Sequence, residues 1–345
     1  MKKIGAFFSS VMMTSLLLAG CGGATESDVN ESSESSEPTE SSDTTAEVTE
    51  ELTEIKQITS WFAQPDHGGQ YAALAKGFYE EAGLEMTIES GGPQVSAVQI
   101  VASGEADFGM APADALIAAR DQGIPVVGLA AILQSNPQIL LFHKDTPISD
   151  FPDLDGRTVY VAPGVMYWEY IQSAYNLNVD EMAFTGQFGP FIADDEAVSQ
   201  AFVTTAPYNL AQEGIDVDYL FIDDSGYETY ANVLFTTEDY IEENYDTVRA
   251  YIEASLKGWD YYKTNYDEIN PVIQEANPDY DLEAMAYGSE ALIDLIYGSD
   301  AAEHGVGYMS EQKWSKLLAQ LKDIGVVESD IDVNELFTTE FLPNE

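Results

Sequence analysis

The chain has 345 residues with 61 acidic against 13 basic side chains, a formal net charge of −48 at pH 7. Such an excess of negative charge argues against nucleic acid and anionic lipid headgroups as partners of the protein surface, and it weakly favours neutral or cationic solutes over anions. Only Arg120, Arg157 and Arg249 could offer the guanidinium fork that commonly grips a sulfonate or phosphate, although a helix N-terminus binds an anion without one.

The first element is a leader. Lys2 and Lys3 precede an apolar run, Ile4 to Leu18, that is too short to span a bilayer comfortably and reads as a secretory signal. Leu18-Ala19-Gly20-Cys21 then brings small residues up to the single cysteine of the chain. This pattern resembles the lipobox of bacterial lipoproteins, which implies a lipidated Cys21 and a protein tethered to the outer face of the cytoplasmic membrane. The alternative is an ordinary signal peptide or an unprocessed anchor. Residues 22–54 are dominated by Ser, Thr, Glu and Asp, too polar to offset their ordering entropy, so they are expected to form a disordered acidic linker.

From residue 55 on, length allows two compact lobes. Ile55 to Phe62 reads as a strand and Ala63 to Gly69 as a polar loop. Tyr71, Leu74, Ala75 and Phe78 fall at i, i+3, i+4 and i+7 and predict one helix, closed by Gly83. Leu84, Met86 and Ile88 alternate as a strand, and Gly91-Gly92-Pro93 turns into a helix whose apolar side is Val95, Val98 and Ala102. A strand over Ala106 to Met110, a helix over Ala113 to Gln122 and a strand over Val126 to Leu133 follow. Alternation of strand and helix predicts mostly parallel sheets with helices on their faces. A second unit opens near Asp150 with a strand at Arg157 to Ala162, a turn at Pro163-Gly164 and a helix over Met166 to Tyr175. Short strands are expected at Glu181 to Phe184 and Tyr219 to Ile222. Beyond Glu238, Val248, Tyr251, Ile252, Leu256 and Trp259 make one helical stripe, and Trp314, Leu317, Leu318 and Leu321 another; both are expected to face a core. No repeat and no further membrane span is evident. The expected lobes are 55–148 with 235–345, and 149–234, joined by crossings near Pro147 to Asp150 and Asp224 to Phe235.

Several segments together resemble a family. Trp61-Phe62-Ala63-Gln64-Pro65-Asp66-His67-Gly68, followed by Ala75-Lys76-Gly77-Phe78-Tyr79 and Ala82-Gly83-Leu84, is similar to the opening of NMT1/THI5-like solute-binding proteins. The resemblance continues through Gly104-Glu105-Ala106-Asp107-Phe108-Gly109, Asp153-Leu154-Asp155-Gly156-Arg157-Thr158-Val159, Pro163-Gly164, Gln200-Ala201-Phe202-Val203-Thr204-Thr205-Ala206-Pro207-Tyr208 and the helix around Ala254 to Trp259. It implies a type II periplasmic-binding fold, two α/β lobes with a cleft that delivers a small-molecule solute to the permease and ATPase of an ABC importer. The nearest flavour is that of binders of the thiamine pyrimidine precursor. Other branches handle riboflavin, alkanesulfonates, taurine or nitrate-like anions. Fungal relatives make a pyrimidine with a cysteine-rich motif and iron. No cysteine follows Cys21, so a binder is expected rather than an enzyme, acting as a monomer with no cofactor.

Ligands of open α/β sheets bind beyond the C-terminal strand ends, where loops enter helices. Trp61, Gln64, Asp66 and His67 occupy the first such loop, Trp61 suited to stacking on a planar ring. His67 reads equally well as a solute contact or as a capping loop histidine. The second loop is Gly91, Gly92 and Pro93, whose amides either meet a solute or merely make a turn. The third holds Ala111, Pro112 and Asp114, the aspartate also suiting the helix dipole. The fourth presents Gly164, Tyr167 and Trp168, of which one aromatic is expected to pack inward. Gln187, Phe188, Thr204, Thr205 and Tyr208 complete the candidate wall. Ala206 stands where the family often has an acidic residue, which removes a candidate partner for a solute amino group. There is no G-x-S-x-G elbow, and His67, His143 and His304 are far apart in sequence. Asp153-Leu154-Asp155-Gly156 lacks the later glutamate of a calcium loop, so no metal is expected.

Overall fold

The computed structural model describes residues 52–92 and 95–343; Cys21, Pro93 and nearly all of the expected linker lie outside that range. The first strands β1 (Thr53–Ile58), β2 (Leu84–Glu89), β3 (Phe108–Ala111) and β4 (Val126–Ala131) are interleaved with helices α1 (Gly68–Ala75), α2 (Phe78–Glu81), α3 (Ala97–Ala102) and α4 (Ala113–Asp121). There follow β5 (Gln138–His143), β6 (Thr158–Val161), α5 (Met166–Tyr175), β7 (Asp180–Ala183), α6 (Gly189–Ile192), β8 (Val198–Phe202), α7 (Ala206–Gln212) and β9 (Val217–Phe221). The chain closes with β10 (Val233–Thr237) and helices α8 (Glu238–Glu243), α9 (Tyr245–Ala276), α10 (Leu282–Tyr297), α11 (Ala301–His304) and α12 (Glu311–Asp323).

Two five-stranded sheets result, ordered β2-β1-β3-β10-β4 and β7-β6-β8-β5-β9. Both follow one plan. β1 is parallel to β2 and β3, as β6 is to β7 and β8. The fourth strand of each, β10 or β5, is antiparallel to both its neighbours, and it is the strand with which the chain enters that sheet from the other one. The sheets are therefore mixed, not mostly parallel, because a chain returning from the opposite lobe arrives pointing the other way.

That plan moves the first boundary. β5 already pairs with β8 and β9, so the chain passes between sheets over residues 132–137 and not near 147–150. The apolar run of β5 lies so soon after β4 that hydropathy alone merges them, while the Asn136-Pro137 turn separates them. The return passage, residues 222–232 between β9 and β10, overlaps the expected stretch of 224–235. Thr53 and Glu54, placed in the linker from composition, pair with Leu84 and Glu85 as the start of β1.

The helical stripes are buried. Val248, Tyr251, Ile252, Leu256 and Trp259 of α9 sit in the core of the first lobe, as do Trp314, Leu317, Leu318 and Leu321 of α12 beside its other face. Instead of the single helix expected over Tyr71 to Phe78, α1 and α2 are separated at Gly77, whose φ of 72° breaks the helical path. α1 lies against α9, and Gly69 has no room for a Cβ because the Trp259 ring occupies it. This close approach fixes the loop from Ser60 to His67 at the start of α1.

Candidate functional site

A cavity of about 580 Å³ opens between loops of the two sheets, a size ordinary for small-molecule sites. On the first-sheet side it is lined by Ser60, Trp61, Gln64, Asp66, Pro112, Asp114 and Ala115. The second-sheet side supplies Gly164, Val165, Met166, Tyr167, Phe184, Gly186, Phe188, Ala201, Phe202, Thr204 and Thr205. The two passages between sheets contribute Leu133, Asn136, Pro137, Thr229, Ala231 and Asn232, with Gln138 at the start of β5. Of the sequence-derived candidates, ten line it: Trp61, Gln64, Asp66, Pro112, Asp114, Gly164, Tyr167, Phe188, Thr204 and Thr205.

The first loop leaves β1 and is held by backbone bonds. Thr59 Oγ1 donates to the Trp61 carbonyl at 2.6 Å and accepts from Gly91 N–H at 3.1 Å, while Gly91 N–H also donates to Trp61 O. A Cβ at Gly91 would run into the Thr59 carbonyl, so Gly91 and Gly92 brace the first loop from outside the cavity and do not line it. Trp61, 41% exposed, lines the cavity and meets Phe62 edge-on at 5.6 Å between centroids. Gln64 Nε2 donates to Asp66 Oδ2 at 2.9 Å. His67 is wholly buried behind this wall, its Nε2 3.3 Å from Ser60 Oγ. Burial lowers its pKa below the usual imidazole value, against the opposing pull of Asp66.

Asp114 begins α4. Its Oδ1 accepts from Ala115 N–H and its Oδ2 from Tyr227 O–H, each at 2.8 Å. Burial raises the pKa of this carboxyl, and the Tyr227 hydrogen bond partly offsets the rise. Ala111, last in β3, pairs with Val233 and faces elsewhere. In the other lobe Tyr167 donates its O–H to Gln200 Oε1 at 3.1 Å and lines the cavity, whereas Trp168 turns away and gives its indole N–H to Glu181 at 2.9 Å. Adjacent helical positions thus divide the two roles. Gln187 is off the cavity, and Tyr208 leans on Tyr287 and reaches Glu283 instead.

Sequence reasoning missed Ser60, Asn136, Gln138, Thr229 and Asn232. Asn136-Pro137 is a turn signal that marks the passage between sheets; nothing local marks Ser60 or Asn232. The electrostatics are one-sided. Asp66 and Asp114 are the charged lining residues, and among the described residues no lysine, arginine or histidine lines the cavity. Arg120 is engaged by Glu238 and Glu335, Arg157 by Glu196, and Arg249 by Asp246. Among the described residues no group of three His, Cys, Asp or Glu side chains is placed to hold a metal ion.

Comparison with known proteins agrees with this architecture. The riboflavin-binding protein RibY of Chloroflexus aurantiacus is 24% identical over 307 residues, spanning 85% of this chain and 87% of its own. The formylaminopyrimidine-binding protein of Halalkalibacterium halodurans is 23% identical over 343 residues, 96% of this chain and 97% of its own. The periplasmic aliphatic sulphonate binding protein SsuA of Escherichia coli superposes with a TM-score of 0.63 at 11% identity, covering 82% of this chain and 91% of that one. The fold is accordingly the two-lobed type II periplasmic-binding fold. The family described as NMT1/THI5 like matches residues 64–269, more than half of the sequence, and the chain belongs to it.

Proposed function

We propose that this NMT1/THI5-like chain is an extracytoplasmic solute-binding protein of an ABC importer, taking up a small planar heterocycle of the thiamine-pyrimidine-precursor kind. The observation that carries this reading is the cavity itself. Trp61, Tyr167, Phe184, Phe188 and Phe202 give it an aromatic lining, and the charges on its described lining are two carboxylates. A sulfonate or nitrate desolvated there would meet negative charge without a compensating cation. The amide end of α4, an anion site in principle, is already occupied by Asp114 through Ala115 N–H. A flat, neutral or cationic ring stacks on Trp61 and offers hydrogens to Asp66 or Asp114. Riboflavin, the solute named for one relative, is also flat and uncharged and is the second reading.

Binding would draw the lobes together by differential affinity for the closed arrangement, and the closed form would be read by the permease and ATPase. Lipid on Cys21 would keep the body near that complex. An enzyme acting on the same ring is the outside alternative; among the described residues the lining holds no thiol and no histidine to serve it. The test is thermal unfolding of the chain from residue 22 against thiamine pyrimidine precursors, thiamine, riboflavin, taurine and alkanesulfonates. A heterocycle should raise the midpoint in proportion to the logarithm of its excess over Kd. A rise with sulfonates alone would overturn the reading, and mass spectrometry showing a changed compound would reveal an enzyme.

A further inference from the structure

We propose that His67 is a positioning residue: from behind the cavity wall its Nε2–H fixes the Ser60 hydroxyl so that Ser60 faces the cavity only as an acceptor, and the wall selects a solute that presents N–H or O–H there. This rests on the reading of the cavity as the solute site.

The wiring follows from four atoms. Asn232 Nδ2 lies 3.2 Å from the Asp66 carbonyl, and a carbonyl can only accept, so the amide NH₂ points that way. Asn232 Oδ1 therefore faces Ser60 Oγ, at 3.3 Å. An amide oxygen also only accepts, so Ser60 spends its single hydrogen on it. His67 Nε2 stands 3.3 Å from the same hydroxyl, which has no hydrogen left to give. The proton of that contact belongs to Nε2. His67 is 0% exposed, and its Nδ1 meets no hydrogen-bond partner among the described residues, as suits a neutral ring protonated on the other nitrogen.

A serine hydroxyl ordinarily rotates to donate or accept as its partner requires. Here the rotor is locked from both sides. One lone pair receives His67, the hydrogen goes to Asn232, and the remaining lone pair is left for the cavity that Ser60 lines. Asp66 and Asp114 on the same wall accept as well, and the Gln64 amide, a donor, already gives a hydrogen to Asp66. A solute that aims a bare oxygen or ring nitrogen at Ser60 leaves two buried acceptors facing each other. The penalty for such an unpaired group corresponds to about tenfold to a hundredfold in affinity.

Two measurements test this. The chain has three histidines, so ¹⁵N spectra of the histidine-labelled protein can be assigned with a His67→Gln variant. At pH 7, His67 should be neutral with the proton on Nε2; a proton on Nδ1, or an imidazolium, overturns the wiring. The second measurement is calorimetric titration with 4-amino-5-hydroxymethyl-2-methylpyrimidine and its 4-methoxy analogue, which lacks the N–H. Wild type should prefer the amino compound by at least about tenfold. His67→Phe and Ser60→Ala should each shrink that ratio severalfold, and His67→Gln, which keeps a donor, should retain it. Equal losses for both compounds, with the ratio intact, would make His67 merely structural and overturn the proposal. If neither pyrimidine binds, the reading of the cavity fails and takes the selectivity with it, while the spectra still decide the wiring.

Discussion

The first-sheet wall of the cavity carries Ser60, Gln64, Asp66 and Asp114, joined at the return passage by Asn232, whereas the second-sheet wall carries Val165, Met166, Tyr167, Phe184, Phe188 and Phe202. The polar groups of the first are bonded to one another or to buried neighbours: Gln64 to Asp66, Tyr227 to Asp114, and Ser60 to Asn232 and His67. The second is chiefly a set of ring faces and edges, Phe184 and Phe188 lying 5.3 Å apart, with Thr204 and Thr205 at its margin. A prearranged polar wall costs little reorganisation when a solute arrives and decides which atoms are accepted. An apolar wall supplies area and is tolerant of detail. On the proposed function, orientation and affinity would thus be contributed from opposite lobes.

The comparison breaks most sharply at Asp114. Asp114→Asn keeps an oxygen for Tyr227 but removes the charge, so affinity for an N–H-bearing ring should fall by about 1.5–3 kcal/mol, the worth of a charge-assisted hydrogen bond. Calorimetry on the purified variant measures it, and unchanged affinity would take Asp114 out of the polar wall. Trp61 comes next because it is the aromatic ring that lines the polar side. Trp61→Ala should cost about 1–3 kcal/mol with folding intact, on the scale of base–aromatic stacking. Phe188→Ala on the tolerant wall should cost less, about 0.5–1.5 kcal/mol, since Phe184 can move into part of the space. A Phe188 effect exceeding that of Asp114 would reverse the assignment of roles.

The same contrast explains what could be read from the sequence. Periodicity marks positions that face a continuous core, so the stripes of α9 and α12 were legible residue by residue. Loop residues in the order Trp61, Gln64, Asp66 and Pro112, Asp114 were legible as strand-end positions, because the fold puts ligands there. Three things were not. The passage at 132–137 is hidden because β4 and β5 are both apolar and nearly contiguous. The antiparallel placement of β5 and β10 depends on which lobe the chain arrives from, information that no local window contains. The polar wiring depends on pairs such as Ser60 with Asn232, brought together only by the return passage. His67 illustrates the limit well: its loop was predicted, but its position behind the wall is set by how tightly α1 meets α9.

The smallest effect on the site is expected from Asp223, which ties the two passages together. Its Oδ2 accepts from Asn136 N–H at 3.0 Å, and Lys313 of α12, which bonds the Gln134 carbonyl, draws it toward the charged form. Burial is the larger influence and pushes its pKa up to about 6, above the unfolded value near 3.8. A carboxyl raised in this way contributes stability that is fully present below the unfolded value and is lost as pH climbs through 6. His67, lowered by burial, acts in the other direction, contributing stability above about 6.5 that is lost as pH falls toward its folded pKa. The contributions of Asp223 and His67 to the pH dependence of stability therefore oppose each other. Asp223→Asn removes the downward slope that Asp223 contributes, so the variant should gain in melting temperature relative to wild type as pH rises from 4 to 7. Its solute affinity should stay within about threefold, because the carboxamide introduced at this position keeps an oxygen to accept from the Asn136 N–H. A difference in melting temperature that does not change with pH would mean that the field of Lys313 fully offsets the burial of Asp223.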